Sequence, residues 1–187
     1  MINITQPAIQ YRVAAPADFE GILLLQHQNL KTTLQEDLSQ GFLSIEFTRE
    51  QLHSINSELG IFVALQDKEV IGYLMAESIE FAIGSPLIAY LLKRLREFVH
   101  EGAALSACCL FVYGPVCIDK QHRGQGVLQE LFRVMVQTLR GNYNVGVAFV
   151  SEQNPHSLHA HKDKLKMQVV DTFEFNGQQY NTLVFRL

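Results

Sequence analysis

The sequence lacks any apolar run long enough to cross a membrane, because no window approaches the roughly 18 consecutive apolar residues that a membrane helix needs. The first ten residues, MINITQPAIQ, also lack the basic and apolar regions of a signal peptide. No basic run is present, and the formal net charge is -4 at pH 7, which argues against nucleic acid as a partner. We therefore expect a cytoplasmic protein that binds neither nucleic acid nor membranes.

Cysteine is also scarce. The chain contains three cysteines, Cys108, Cys109 and Cys117, and an odd number with two adjacent residues is a poor framework for disulfides. We expect reduced, mostly buried thiols in one strand region. No metal site is expected either, because His156 and His159 share a helix face but no carboxylate or cysteine has the spacing to complete a ligand set.

What is present is the composition of a folded protein. Hydrophobic residues make up 48% of the 187 residues and charged residues 18%, which separates the chain from disordered sequences. The length suits one domain, and no internal repeat, low-complexity tract or linker divides the chain. We therefore expect residues 1–187 to form a single domain.

Hydrophobic periodicity in the first half of the chain predicts helices and antiparallel strands. Pro16 opens an amphipathic helix, and Thr48 with Gln51 has the spacing of a capping box ahead of a second helix. The polar pair Asp67 and Lys68 predicts a hairpin turn. The predicted strands of this half are Ile9–Val13, Ile61–Gln66 and Glu69–Ala82.

The second half predicts a parallel strand pair flanked by a hairpin. Its predicted elements are a helix from Pro86 to His100 stopped near Gly102, a strand at Cys109–Asp119, a helix at Gly126–Arg140, a strand at Asn144–Ser151, a short helix opened by Asn154 and Pro155, and a hairpin turning at Asn176 and Gly177. The strand–helix–strand order indicates a parallel pair. Gly114 and Pro115 interrupt its first strand and mark a bulge or a place where neighbouring strands part. We expect an α/β fold with antiparallel flanks.

A glycine turn lies between the first of these strands and its helix, in the stretch IDKQHRGQGVLQELF, Ile118 to Phe132. The first amides of a helix have no partner within the helix and lie at the positive end of its dipole, so such a turn binds anions, usually phosphate. The missing Gly-Lys-Ser/Thr ending excludes a P-loop, and the missing third glycine excludes a Rossmann fingerprint. Alone, the Gly-x-Gly spacing is equally typical of an ordinary strand-to-helix turn.

This turn resembles the phosphate-binding pattern Q/R-x-x-G-x-G/A of the GNAT superfamily of acyl-CoA-dependent N-acyltransferases. Two registers fit the pattern, one from Arg123 to Leu128 and one from Gln121 to Gly126. We favour the first because it leaves Val127 to enter the helix, although Leu128 then replaces the final small residue.

A second stretch downstream strengthens the resemblance. Asn154, Ser157 and His161 occupy the places of the family's asparagine, its alanine or serine, and its tyrosine, and the following KLKM is similar to the family's KLGF or KLGM. The resemblance implies the GNAT fold, a mixed and mostly antiparallel sheet with a central splayed parallel pair and helices on both faces. It also implies acetyl-CoA as co-substrate.

The resemblance further implies which residues hold acetyl-CoA. The pantetheine arm would pair with the free amides of Val116, Cys117 and Ile118 at the splay. The implied cofactor-binding set is completed by the turn and the downstream helix, through Arg123, Gly124, Gln125, Gly126, Val127, Leu128, Asn154 and Ser157.

The implied reaction is direct attack of a neutral amine on the acetyl thioester in a ternary complex. His161 stands where many relatives carry the tyrosine that protonates the leaving thiolate, and a protonated histidine can do the same. Alternatively, His161 is a core histidine without a catalytic role, whose hydrogen bonds are made within the protein. Glu77 and Glu80 are candidates for the base, and strand alternation places them on opposite faces. We favour Glu77, with a surface glutamate or a water chain as alternatives.

The acceptor is expected to be a small-molecule or peptide amine. Glu36, Asp37 and Glu46 lie where this fold selects its acceptor and favour a cationic amine, unless they form a solvated face. The helix Pro86–His100 is longer than the family's usual connection, and it covers the acceptor site or forms a homodimer contact. A GNAT domain that only binds acyl-CoA, as a sensor or interaction module, is the alternative function.

Overall fold

The computed structural model describes residues 8–34, 38 and 40–187. The helices are α1 Phe19–Asn29, α2 Lys31–Leu34, α3 Arg49–Glu58, α4 Ile79–Ala82, α5 Pro86–Leu95, α6 Val127–Leu139 and α7 Pro155–His159. The strands are β1 Gln10–Val13, β2 Ile61–Gln66, β3 Glu69–Glu77, β4 Val99–His100, β5 Ala103–Ala104, β6 Leu110–Ile118, β7 Val145–Ser151, β8 Gln168–Phe175 and β9 Gln178–Arg186.

Seven strands form one sheet in the order β1-β2-β3-β6-β7-β9-β8. The pair β6 and β7 is parallel, and the other neighbours are antiparallel. The predicted α/β architecture, a mostly antiparallel sheet around a central parallel pair, is confirmed. The short strands β4 and β5 pair separately.

The two central parallel strands splay apart. β6 pairs with β7 only from Leu110 to Val112, whereas β6 continues along β3 to Ile118 and β7 continues along β9 to Ser151. The register between β3 and β6 shifts beside Gly114, whose φ of 104° favours glycine. Both features predicted for the Gly114–Pro115 pair, a bulge and a parting of strands, are therefore present.

Helices cover both faces of the sheet because alternate strand residues point to opposite sides. On one face, α6 buries Leu131 and Met135 against Leu74. On the other, α1 and α3 pack against the face that carries Tyr73, through Ile22, Leu52 and Ile55. Each fully buried leucine or isoleucine contributes about 1.5–3 kcal/mol to the free energy of unfolding, so these faces hold the frame around the splay.

Three predicted turns and caps are confirmed, because local chemistry decides them. Thr48 caps α3 in a reciprocal capping box with Gln51. Asp67 and Lys68 both have positive φ, as a tight two-residue hairpin turn requires. Asn176 and Gly177 also have positive φ and form the corresponding turn between β8 and β9.

Two predicted boundaries are wrong. The strand predicted to run from Glu69 to Ala82 ends at Glu77, because the Ser78 side chain accepts from the Phe81 amide and starts α4. Glu80 therefore lies on a helix, and its predicted place on the opposite face of the strand is wrong.

The helix predicted to reach His100 ends at Leu95 instead. Val99 and His100 form β4, and Gly102 lies in the turn to β5 instead of stopping a helix. Arg186 donates to the His100 carbonyl at 3.0 Å and ties this hairpin to β9. That long-range bond is invisible to helical periodicity.

The cysteines are free but are not all buried in one strand. Cys117 is buried in β6, whereas Cys108 is half-buried and Cys109 is exposed, because β6 begins only at Leu110. In the described part of the chain, no helix is both long enough and apolar enough to span a membrane.

Candidate active site

A first cavity, of about 200 Å³, lies between β6, the glycine turn and the helical segment that begins with α7. It brings together most of the residues implied to bind the cofactor, namely Val116, Cys117, Ile118, Arg123, Gly124, Gly126, Val127, Leu128, Asn154 and Ser157, and it adds the predicted catalytic residue His161. Gln125 is not among its lining residues, and its side chain donates to the Gln121 carbonyl at 2.7 Å. A pair of segments far apart in sequence thus meets at one site.

The glycine turn has the geometry of an anion cradle. Gly124 and Gly126 have φ values of 76° and 86°, which favour glycine, and a Cβ on either would meet no atom within 4 Å. Gly126 is the N-cap of α6 and no side chain caps that end. The amides of the first turn, including those of Val127 and Leu128, therefore lack a capping side chain and lie at the positive end of the helix dipole.

The strand next to the cradle offers fewer free amides than the resemblance implies. The Asp119 amide donates to the Ile71 carbonyl at 2.9 Å, so alternate residues of β6, including Cys117, direct their amides at β3. Val116 and Ile118 then direct theirs toward the splay. The expected set of three free amides is reduced to two.

A second cavity, of about 700 Å³, passes through the sheet at the splay. Its wall includes Val112 and Tyr113, consecutive residues whose side chains pack on opposite faces of the sheet. It shares Val116, Ser157 and His161 with the first cavity. The two cavities therefore adjoin one another, and the second reaches the face that carries α1 and α3.

Glu77 lies in the wall of the second cavity, at the end of β3 and paired with Val112 of β6. Its side chain is buried, and that burial raises the pKa of the carboxyl to about 8. A carboxyl whose pKa lies near the working pH suits proton exchange with a bound molecule.

His161 lies on a π-helical turn, Ala160–Lys164, and lines both cavities. Its Nδ1 is 2.7 Å from the Ser157 carbonyl oxygen, which can only accept, so Nδ1 carries the proton. Burial lowers the pKa of His161. The resting ring is therefore neutral, with Nε2 as an acceptor, and it protonates a leaving group only after gaining a second proton.

Tyr113 supports the His161 ring. The two rings meet edge to face with centroids 5.4 Å apart. Burial raises the pKa of the Tyr113 hydroxyl, whose oxygen has no hydrogen-bond partner among the described residues. Such an orphaned polar group beside a cavity is a feature of functional sites.

The acetyltransferase (GNAT) family model matches residues 27–166 of the chain. The chain belongs to this family. No curated protein matches it significantly by sequence.

Solved structures share the fold. An N-acetyltransferase from Staphylococcus aureus Mu50 superposes with a TM-score of 0.62 at 17% identity, covering 96% of this chain and 98% of its own. A Salmonella typhimurium protein solved with its cofactor acetyl-CoA gives 0.61 at 16% identity, with 96% and 94% covered. The ribosomal-protein-alanine N-acetyltransferase of Brucella melitensis gives 0.62 at 16% identity, with 95% and 99% covered.

In this GNAT acetyltransferase the guanidinium of Arg123 is already engaged by the protein. It donates to the Ile118 carbonyl at 2.8 Å, to the Gln40 carbonyl at 2.7 Å and to Asn29 Oδ1 at 2.8 Å. Asn154 likewise donates to the Phe42 carbonyl at 3.1 Å. Arg123 thus ties the loop after α2 to the cradle, and Asn154 ties the same loop to the start of α7.

The sequence placed acceptor-selecting residues in that loop but did not indicate the residues of the loop and of α1 that line the first cavity of the GNAT site. Asn29, Gln40 and Gly41 line the first cavity, and Phe42 and Leu43 line both. No local motif marks them, because they reach the site through contacts with residues more than 80 positions away.

The acidic residues expected to select the acceptor have different outcomes. Glu36 and Asp37 lie outside the described residues. Glu46 is exposed near His27 and lines neither cavity. The start of α5, at Pro86, lies in the wall of the second cavity, as a covering role requires, and the homodimer contact stays a prediction. Within the described ranges, no three His, Cys, Asp or Glu side chains gather as a metal site.

Proposed function

We propose that the protein is an N-acetyltransferase that transfers the acetyl group of acetyl-CoA to a primary amine of a small molecule or peptide. The reaction is direct attack in a ternary complex, without a covalent enzyme intermediate. The second cavity carries the proposal, because it passes through the splay and leads from the cradle region to the buried carboxyl of Glu77.

The chain's own backbone would hold acetyl-CoA. The uncapped first turn of α6 fits a diphosphate, and the outward amides of Val116 and Ile118 fit an extended arm in place of the missing neighbouring strand. One of these amides, at Val116, is placed where the cavity begins to cross the sheet, and it would polarise the thioester carbonyl. Such donors contribute about 3–4 kcal/mol to transition-state stabilisation in other enzymes.

The transfer is balanced in protons. The C–N bond forms as the C–S bond breaks, the amine nitrogen loses one proton, and the sulfur gains one. Glu77, once ionised, accepts the proton of the amine. His161 returns a proton to the sulfur, which requires the doubly protonated ring, because the Nδ1 proton is held by the Ser157 carbonyl.

A non-catalytic acyl-CoA-binding module is the second candidate. The observation that favours it is the neutral state of His161, because burial lowers its pKa and leaves no free proton at Nε2. Both candidates bind acetyl-CoA, but only the N-acetyltransferase transfers its acetyl group to an amine.

The test measures CoA release from acetyl-CoA across a panel of amines. Chromatography is used in place of a thiol reagent, because the exposed Cys109 would react with that reagent. Glu77→Gln and His161→Phe should each lower kcat by about 100-fold or more. Glu80→Gln is the matched control, since Glu80 is exposed three residues from Glu77, and it should keep full activity.

Binding separates the remaining outcomes. Tight acetyl-CoA binding by calorimetry without turnover on any amine would favour the sensor. A protein whose melting temperature does not respond to millimolar CoA would contradict the cradle itself.

A further inference from the structure

The wall of the second cavity is apolar over most of its surface. Large hydrophobic side chains from five parts of the chain line it, among them Phe42, Phe47, Phe81, Leu87, Val112 and Phe149. Among its described lining residues, Glu77 is the single carboxylate and neither lysine nor arginine occurs. Mostly apolar walls with a few placed polar groups are typical of sites that orient a hydrophobic ligand by one polar end.

From this wall we propose that the acceptor is a monoamine on an apolar body, such as an arylalkyl or alkyl amine, with its amino group toward Glu77. This inference rests on the proposed N-acetyltransferase function and narrows its acceptor. The source of the selectivity is the cost of burying charge and polar groups without partners.

Charge count excludes two common classes of amine. A polyamine or an aminoglycoside would bring at least one further ammonium into the cavity, where the described wall offers no second carboxylate after Glu77. An amino acid would bring a carboxylate, and the described wall has no lysine or arginine to pair with it. A monoamine brings one ammonium, with which ionised Glu77 can pair, and the ammonium loses a proton to solvent before the neutral amine attacks.

Peptide acceptors fit the wall less well than monoamines. Each peptide residue carries a backbone donor and acceptor that must be paired when buried. Phe81, Ile88 and Phe149 offer no side-chain partners, and the turn from Gly84 to Pro86 also lines the cavity. Its volume of about 700 Å³ is within the usual range of small-ligand pockets, about 300–1,000 Å³.

The experiment compares kcat/KM at saturating acetyl-CoA and pH 8.5 for four probes. These are 2-phenylethylamine, spermidine, L-alanine and an unblocked alanine tripeptide amide. We expect 2-phenylethylamine to be preferred by at least about 100-fold, since buried groups left unpaired by the wrong ligand give discrimination of this size or greater.

A wall variant tests the cause of the preference. Leu87→Asp adds a carboxylate at a half-buried wall position, and it should lower the preference for 2-phenylethylamine over 1,5-diaminopentane by about 10-fold or more. Ile83→Asp is the matched control, because Ile83 is 55% exposed and does not line the cavity. Melting temperature and acetyl-CoA affinity show that both variants are folded.

The outcomes distinguish a failure of the acceptor class from a failure of the proposed N-acetyltransferase function. Best turnover with spermidine, L-alanine or the tripeptide overturns the hydrophobic monoamine while the proposed function stands. Equal effects of Leu87→Asp and Ile83→Asp on the ratio overturn the assignment of this wall. Acetyl-CoA binding with no turnover on any amine overturns the proposed function, and the acceptor class with it.

Discussion

Replacing Glu77 by glutamine should make the protein more resistant to unfolding at alkaline pH. Burial raises the pKa of the Glu77 carboxyl from 4.5 to about 8. Between these values the folded protein holds a proton that the unfolded chain has released, and this proton stabilises the folded state. The stabilisation is fully present below pH 4.5 and is lost as the pH rises through about 8. Glutamine stays neutral and escapes that loss.

The size of the effect follows from the two pKa values. At about 1.4 kcal/mol per pH unit, the full difference corresponds to roughly 5 kcal/mol, of which roughly 3 kcal/mol falls between pH 6 and pH 9. A domain of this size loses about 2–4 °C of melting temperature per kcal/mol. The wild-type melting temperature should therefore fall by about 6–12 °C more than that of Glu77→Gln over this range.

The assay is thermal unfolding followed by circular dichroism at pH 6, 7, 8 and 9, without acetyl-CoA. Glu80→Gln is the control, because it removes an exposed glutamate from the neighbouring helix, and its melting temperatures should follow those of the wild type. Parallel pH profiles for wild type and Glu77→Gln would refute the reasoning, since they would mean that Glu77 ionises in the folded state as readily as in the unfolded chain.

Three further changes probe the cradle, the frame and the thiols. Gly126→Ala forces alanine into a φ of 86°, so it should cost about 1–2 kcal/mol of stability and weaken CoA binding in calorimetry. Arg94→Ala removes bonds of 2.6 and 3.0 Å to Asp171, so urea unfolding should show a loss of about 2 kcal/mol with unchanged CoA affinity. Burial raises the pKa of Cys117 to about 12, so mass spectrometry after iodoacetamide should find native Cys109 alkylated and Cys117 alkylated only after denaturation.

Features that depend on a few neighbouring residues were predictable from the sequence. The capping box at Thr48 and the hairpin turns at Asp67–Lys68 and Asn176–Gly177 are examples, because each is decided by side chains and φ preferences within about four residues. Element ends that compete with an alternative were not predictable. The sequence around Ser78 is equally compatible with a strand. Ser78 caps α4 because the pairing of β3 with β6 ends at Glu77, the residue before it.

The sequence by itself determined the order of the seven main strands and of the helices α1, α3 and α6, the interruption at Gly114–Pro115 and the glycine turn at the start of α6. The tertiary structure alone decided that Glu77 and His161 border one cavity, that the Arg123 guanidinium is engaged by Asn29 and Gln40, and that two strand amides face the splay. The physical reason is the distance along the sequence over which each kind of interaction acts. Backbone preferences act over one turn of chain, whereas a cavity, and the pKa values inside it, arise from packing between segments that are distant in sequence.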